Sequence, residues 1–99
     1  MSQEPPPAEP KFVWDPRKAV RNLNKHNVTF DEAATVFRDW LAITKQDPDH
    51  SISERRFVTL GLSSNQRLVL VAHTDDGEEI RIISARLPTR SERNAYEND

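Results

Sequence analysis

From Arg67 to Arg86 the chain reads RLVLVAHTDDGEEIRIISAR, two apolar runs on either side of a polar turn containing Asp76-Gly77. Runs of Leu, Val and Ile broken by Asp-Gly predict a β-hairpin. With Thr74 facing Glu79, Val71 stands opposite Ile82 and Arg67 opposite Arg86. Like charges directly across a ladder repel, so that last pair either splays into solvent or holds an anion between its guanidiniums. Before the hairpin, RFVTLGL from Arg56 to Leu62 predicts a strand that turns through Ser63-Ser64-Asn65-Gln66. Setting Leu62 opposite Arg67 puts Val58, Val71 and Ile82 in one row and Arg56, His73 and Ile80 in the next. Phe57, Leu68, Leu70, Ala72, Arg81 and Ile83 then project from the other face. A shorter strand-like run covers Trp40 to Thr44, followed by the turn chemistry of Asp47-Pro48-Asp49-His50-Ser51. Both faces of this four-strand meander are substantially apolar, so helices are expected to cover one side fully and the other in part.

The remaining segments supply those helices. Lys11 to Trp14 is a short extended stretch, and Asp15-Pro16 pairs an N-cap residue with proline at the first helical position. The helix this opens runs from Pro16 to about Asn27, with Ala19, Val20 and Leu23 on one side and Lys18, Arg21 and Lys25 on the other. Thr29-Phe30-Asp31-Glu32 fits a capping box and opens a second helix, whose Phe30, Ala33, Ala34 and Phe37 form an apolar stripe that Val36 widens. Thr89-Arg90-Ser91-Glu92 repeats the box and predicts a helix from Arg90 to about Glu97, with Ala95 and Tyr96 as its contacts. The expected class is α+β: an antiparallel sheet of four to five strands, two N-terminal helices on one face and a short C-terminal helix.

Composition narrows the function. Residues 1–10 hold four of the seven prolines and no bulky apolar side chain, so they read as a disordered tail before a single domain over 11–99. Mean hydropathy is −0.77, no window suits a membrane span, and MSQEPPPAEP lacks the basic start and apolar stretch of a secretory signal. A cytoplasmic protein with no membrane partner is expected. There is no cysteine, and His26, His50 and His73 show no ligand spacing, so neither a metal nor another cofactor is expected. The net charge of −2 argues against binding nucleic acid through bulk charge. Ten of the fourteen basic residues are nevertheless Arg, the side chain suited to bidentate contacts with phosphate or carboxylate.

Several strings are specific. Phe12-Val13-Trp14-Asp15-Pro16, Asn24-Lys25-His26-Asn27-Val28-Thr29-Phe30, Glu32-Ala33-Ala34, Asp49-His50-Ser51, Glu54-Arg55-Arg56-Phe57, Gly61 and Arg81-Ile82-Ile83-Ser84-Ala85-Arg86, with Glu92 and Tyr96, resemble the BrnT family. The resemblance covers about residues 12–96. Asn27 stands where the family often has glycine, and Asn tolerates the left-handed backbone a glycine would take. The family are toxins of type II toxin-antitoxin pairs. The resemblance implies a RelE-like fold and an endoribonuclease that inhibits translation. It also implies a BrnA-like antitoxin partner whose complex represses the shared operon, so that DNA is met only indirectly.

Metal-free RNA cleavage needs a base for the 2′-hydroxyl proton, an acid for the 5′-oxygen and positive charge on the phosphorane. Arg86 and Arg56 are the candidates for the charge, with Arg67 and Arg81 in reserve, although the register above turns Arg81 to the other face and separates Arg56 from Arg86. Lys25, His26 and Glu54 are the candidates for proton transfer. Each has a structural rival: solvation for Lys25, capping of a helix C-terminus for His26, and an ion pair with an arginine for Glu54. Lys18 and Arg21 read either as a wet helix face or as phosphate contacts, and Tyr96 either as a base-stacking ring or as packing. An exposed arginine row would also suit an acidic antitoxin segment lying where RNA lies. The alternative function is a non-catalytic partner-binding module within an autoregulatory complex, which the acidic net charge favours.

Overall fold

The computed structural model describes residues 9–47 and 54–98. Residues 1–8 of the expected tail and Pro48 to Ser51 of the predicted loop, His50 included, lie outside them. Among the described residues nine elements follow in order: β1 (Lys11–Val13), α1 (Pro16–His26), α2 (Phe30–Thr35) with a 3₁₀ turn (Val36–Arg38), β2 (Ile43–Gln46), β3 (Arg56–Leu62), β4 (Leu68–Asp75), β5 (Glu79–Arg86) and α3 (Arg90–Glu97). The strands form one sheet in the order β1-β5-β4-β3-β2.

The sheet is mixed rather than antiparallel, because β1 lies parallel to β5, with Phe12 beside Ile80. Parallel pairing involves no hairpin turn, so nothing local in the sequence announces it. The helix signals act as their chemistry dictates. Asp15 caps α1 by accepting from Arg17 N–H, and Asn27 ends it in the left-handed conformation at φ 57°. Thr29 accepts from Glu32 N–H at the start of α2, but the reciprocal half of that box is missing because the Glu32 side chain is engaged elsewhere. At α3 the box is complete.

β2 starts three residues later than expected, at Ile43. Trp40 and Leu41 sit in a turn that the Asp39 carboxylate organises, accepting from Leu41 N–H on one oxygen and Leu62 N–H on the other. That local bonding overrides the strand propensity of the Trp-Leu pair.

Both hairpins differ from the expected register. Ser63 donates its N–H to the Arg67 carbonyl, and a three-residue loop with Gln66 at φ 65° closes the β3–β4 turn. Leu62 therefore pairs with Leu68, and Val58 with Ala72, one residue away from the expected pairing. That slip exchanges faces along the whole ladder. Asp76 caps the next turn through Glu78 and Glu79 N–H, leaving Asp75 opposite Ile80 and Thr74 opposite Arg81. Farther along, Ala72 pairs with Ser84 but His73 pairs with Ile82, so Ile83 is an extra residue, a β-bulge. In the region of the predicted Arg67–Arg86 pair, Arg86 instead faces Leu70.

One sheet face carries the core. Val69, Val71, Ile82 and Ala85 pack with Val28, Phe30, Ala33 and Val36, joined by Phe12, Trp14, Ala19, Ala34 and Phe37. Asn22 is the buried polar residue of α1: its amide donates to the Val28 and Ala85 carbonyls and accepts from Ala85 N–H, clamping α1 onto β5. His73 is buried between Phe37 and Phe57. Its Nδ1 faces the Thr74 carbonyl, which can only accept, so Nδ1 carries the proton. Its Nε2 then accepts from Thr59, whose oxygen accepts from Thr44. α3 crosses the opposite face, with Ala95 and Glu92 over Ile43, Val58, Leu60 and Leu70.

Candidate nucleic-acid interface

The bulge decides which arginines share a face. Strict alternation would separate Arg81 from Arg86, since five positions divide them. The extra residue Ile83 restores them to one side, the side away from α1 and α2. Arg56 and Arg81 flank Thr74 in a single cross-strand row, and Arg86 lies in the Leu60–Leu70 row four residues along β4. At the rise of an antiparallel strand the rows are about 14 Å apart, so the three guanidiniums border a path rather than one point. Between Arg56 and Arg86 runs a groove of about 280 Å³, lined also by Asp47, Val58, Ala72, Ile83 and Ser84.

Each arginine already holds a carboxylate. Glu54 accepts from Arg56 Nε at 3.0 Å and takes both oxygens to Arg81 Nη2 at 2.8 Å, so a single anion ties the two cations together. Those bonds, first to Arg56 and then to Arg81, hold its carboxyl below the usual range. Across the groove Arg86 donates Nη1 and Nη2 to the two oxygens of Glu92 at 2.8 and 3.0 Å. Glu92 also accepts from Thr89 N–H, so one side chain caps α3 and fastens it to β5. Arg86 is the main cause that lowers its pKa to about 2.

The other predicted site residues do not join this face. Lys18, Arg21, Lys25 and His26 belong to α1, which packs on the core side of the sheet. Arg67 is committed to structure: Nε and Nη2 grip Glu32 at 2.8 and 2.7 Å, and Nη2 also donates to the Asn27 carbonyl. Ser63 donates to the same carboxylate, and Arg67 foremost drives the Glu32 pKa down to about 2 against the cost of burial. Tyr96 donates to Asp39 at 2.6 Å, tying the end of α3 to the β2 turn, and that acceptor raises its pKa to about 12.

Sequence reasoning missed Asn22, although an Asn three residues after Ala19, inside an apolar stripe, is the kind of position that demands a buried partner. It also missed Asp39, whose signal is an Asp at the end of a helix immediately before two exposed apolar residues. Among the described residues no three His, Asp or Glu side chains converge to hold a metal, and no helix is long and apolar enough to cross a membrane.

The profile of the family of BrnT ribonuclease toxins of type II toxin-antitoxin systems matches residues 14–92. The chain belongs to the BrnT family. It also resembles the crystal structure of the Brucella abortus ribonuclease toxin, BrnT, with a TM-score of 0.61 and 23% identity, over 82% of this chain and 99% of that one. No curated protein is significantly similar in sequence. The stretch matched by the BrnT family holds Glu54, Arg56, Arg81, Arg86 and Glu92, the ion-paired residues of the open face, while Tyr96 lies beyond it.

Proposed function

We propose that this BrnT-family chain is a toxin that cleaves RNA without a metal, inhibits translation and is neutralised by a BrnA-like antitoxin, on a RelE-like fold. The observation that carries the proposal is the placing of Arg56, Arg81 and Arg86 on one open sheet face, each hydrogen-bonded to a carboxylate that phosphate oxygens can replace. In the reaction the 2′-oxygen attacks phosphorus, the bond to the 5′-oxygen breaks, and a 2′,3′-cyclic phosphate and a 5′-hydroxyl result, the 5′-oxygen taking its proton from solvent water. The arginines neutralise the charge that builds on the non-bridging oxygens.

Of the three proton carriers taken from the sequence, Glu54 shares the face with these arginines, whereas Lys25 and His26 lie on α1. Phosphate that takes over Arg56 and Arg81 removes the bonds holding the Glu54 pKa down, and the carboxylate becomes a better base for the 2′-hydroxyl proton as substrate binds. Arg67 and Tyr96 are assigned to structure, since Glu32 and Asp39 hold them.

The test is induced expression in bacteria of the wild type and of Arg86→Ala, alone and with the antitoxin encoded beside it, followed by purified protein on RNA in EDTA. Growth arrest and RNA loss that persist in EDTA, and that Arg86→Ala and the antitoxin each abolish, are expected. Intact RNA and normal growth at confirmed soluble protein levels would count for the second reading, a partner-binding module. What favours that reading is the ion pairing itself: all three arginines of this face are neutralised within the chain.

A further inference from the structure

The outward face of α1 differs from the sheet face in a way that identifies an occupant. Over Pro16–His26 the chain carries Arg17, Lys18, Arg21 and Lys25 and no acidic residue, a local charge of +4 on a protein whose net charge is −2. Arg17 approaches Asp15 only to 3.8 Å. Lys18, Arg21 and Lys25 form no ion pair among the described residues, whereas Arg56, Arg67, Arg81 and Arg86 each grip a carboxylate. Beside these cations two apolar side chains face solvent, Val20 at 61% and Leu23 at 43% exposure. They border a cleft of about 200 Å³ between α1 and the start of α2, floored by Trp14 and Phe30 in an edge-to-face contact at 5.9 Å. Such a cleft accommodates one aliphatic or aromatic side chain.

We propose that α1 is the docking face for the antitoxin, and that it takes an acidic segment whose carboxylates meet Arg21 and Lys25 while one apolar anchor enters the cleft beside Val20 and Leu23. The inference rests on the toxin reading, which supplies the partner, and it moves that partner from the groove to the opposite side of the sheet. Cations that already have carboxylates offer an acidic segment an exchange of one ion pair for another. Unpaired cations offer it new pairs, and complementary charge speeds encounter and fixes register. A nucleic-acid strand would use the same cations but would leave the apolar cleft beside them unfilled. Apolar anchors seated beside charge are the usual centre of a protein interface.

The test measures binding of the full chain to the antitoxin encoded beside it, together with RNA cleavage in EDTA, for the wild type, Val20→Asp and Arg21→Glu. Both substitutions are on exposed positions, and circular dichroism checks that the fold is kept. Loss of antitoxin affinity of about 10- to 100-fold in each variant, with RNA cleavage retained, is the expected result. Wild type and variants that bind the antitoxin equally would overturn the docking site and leave the toxin reading standing. RNA cleavage lost on Arg21→Glu with antitoxin binding intact would make α1 a nucleic-acid surface and also overturn it. A wild type that neither binds the antitoxin nor cuts RNA would overturn both readings together.

Discussion

Glu92 of α3 meets the guanidinium of Arg86 edge to edge, each carboxylate oxygen receiving one terminal N–H, the same two-point geometry that guanidinium offers a phosphate. The carboxylate is thus a built-in competitor for the anion the groove is proposed to bind. Glu92→Gln keeps an acceptor for Thr89 N–H but removes the charge. A non-cleavable 2′-deoxy oligonucleotide is expected to bind the variant about 3- to 10-fold more tightly at low salt. Both partners are more than 30% exposed, so the cost in stability is only about 1 kcal/mol. Fluorescence anisotropy and urea unfolding read the two effects, and unchanged affinity would mean that Glu92 does not compete for the Arg86 fork.

Glu32 and Arg67 form the corresponding pair on the core side, with the Glu32 side chain only 5% exposed. Truncating Arg67 to Ala leaves a buried carboxylate with Ser63 and Asn65 as its remaining side-chain donors. The expected loss is about 3 kcal/mol. The pH dependence follows from the depressed carboxyl. Glu32 titrates at about 2 in the fold against 4.5 for the free side chain, so the unfolded state binds more protons between those values. The contribution is complete above about pH 4.5 and is lost as pH falls toward 2. Urea melts at pH 7 and pH 3.5 are expected to show wild type losing more stability than Arg67→Ala over that interval.

Elements were easier to read than geometry in this chain. The caps at Asp15, Thr29 and Thr89 and the apolar runs of β3, β4 and β5 are local signals, and the structure has an element at each. What the sequence concealed depends on single residues acting at turns. The left-handed Gln66 shortens one hairpin loop, and the extra residue Ile83 breaks alternation, so the face of every side chain beyond each of them changes. That is why Arg81 was expected to point away from Arg86. Arg67 and Glu32 were assigned to RNA contact and to capping because their mutual ion pair spans thirty-five positions, a distance at which no pattern operates. Glu54 fared better, since the ion pair weighed against its general-base role is present.

Gly61 owes its place to packing rather than to an unusual backbone angle. A Cβ there would stand 2.8 Å from Val36 Cγ1 and 3.0 Å from Ala42 Cβ. Val36 is fully buried and has no room to withdraw. Gly61→Ala is therefore expected to push β3 away from the 3₁₀ turn and to cost about 1 to 3 kcal/mol. Because Asp39 bonds Leu62 N–H from that same turn, hydrogen exchange at Leu62 should accelerate along with the loss measured by urea. Wild-type stability in the variant would mean that the turn and strand are less closely pressed than the structure has them.

His73 gives the fold a second, higher pH dependence. Burial is the main reason its pKa falls below 6.5, opposed by the Thr74 carbonyl and by Asp75. In the unfolded chain the ring takes a proton as pH drops through about 6.5, while in the fold burial resists that protonation, so unfolding takes up protons. Stability is complete above pH 6.5 and declines below it with a slope of at most about 1.4 kcal/mol per pH unit. This window lies well above the one governed by Glu32, so a series of urea melts from pH 8 to pH 5.5 isolates it. His73→Gln removes the titrating ring and is expected to flatten the curve over that interval, although it lowers stability at pH 8 by leaving Phe37 and Phe57 without their ring contacts. An unchanged slope in the variant would assign the pH dependence to another group and would mean that His73 is protonated about as readily inside the fold as outside it.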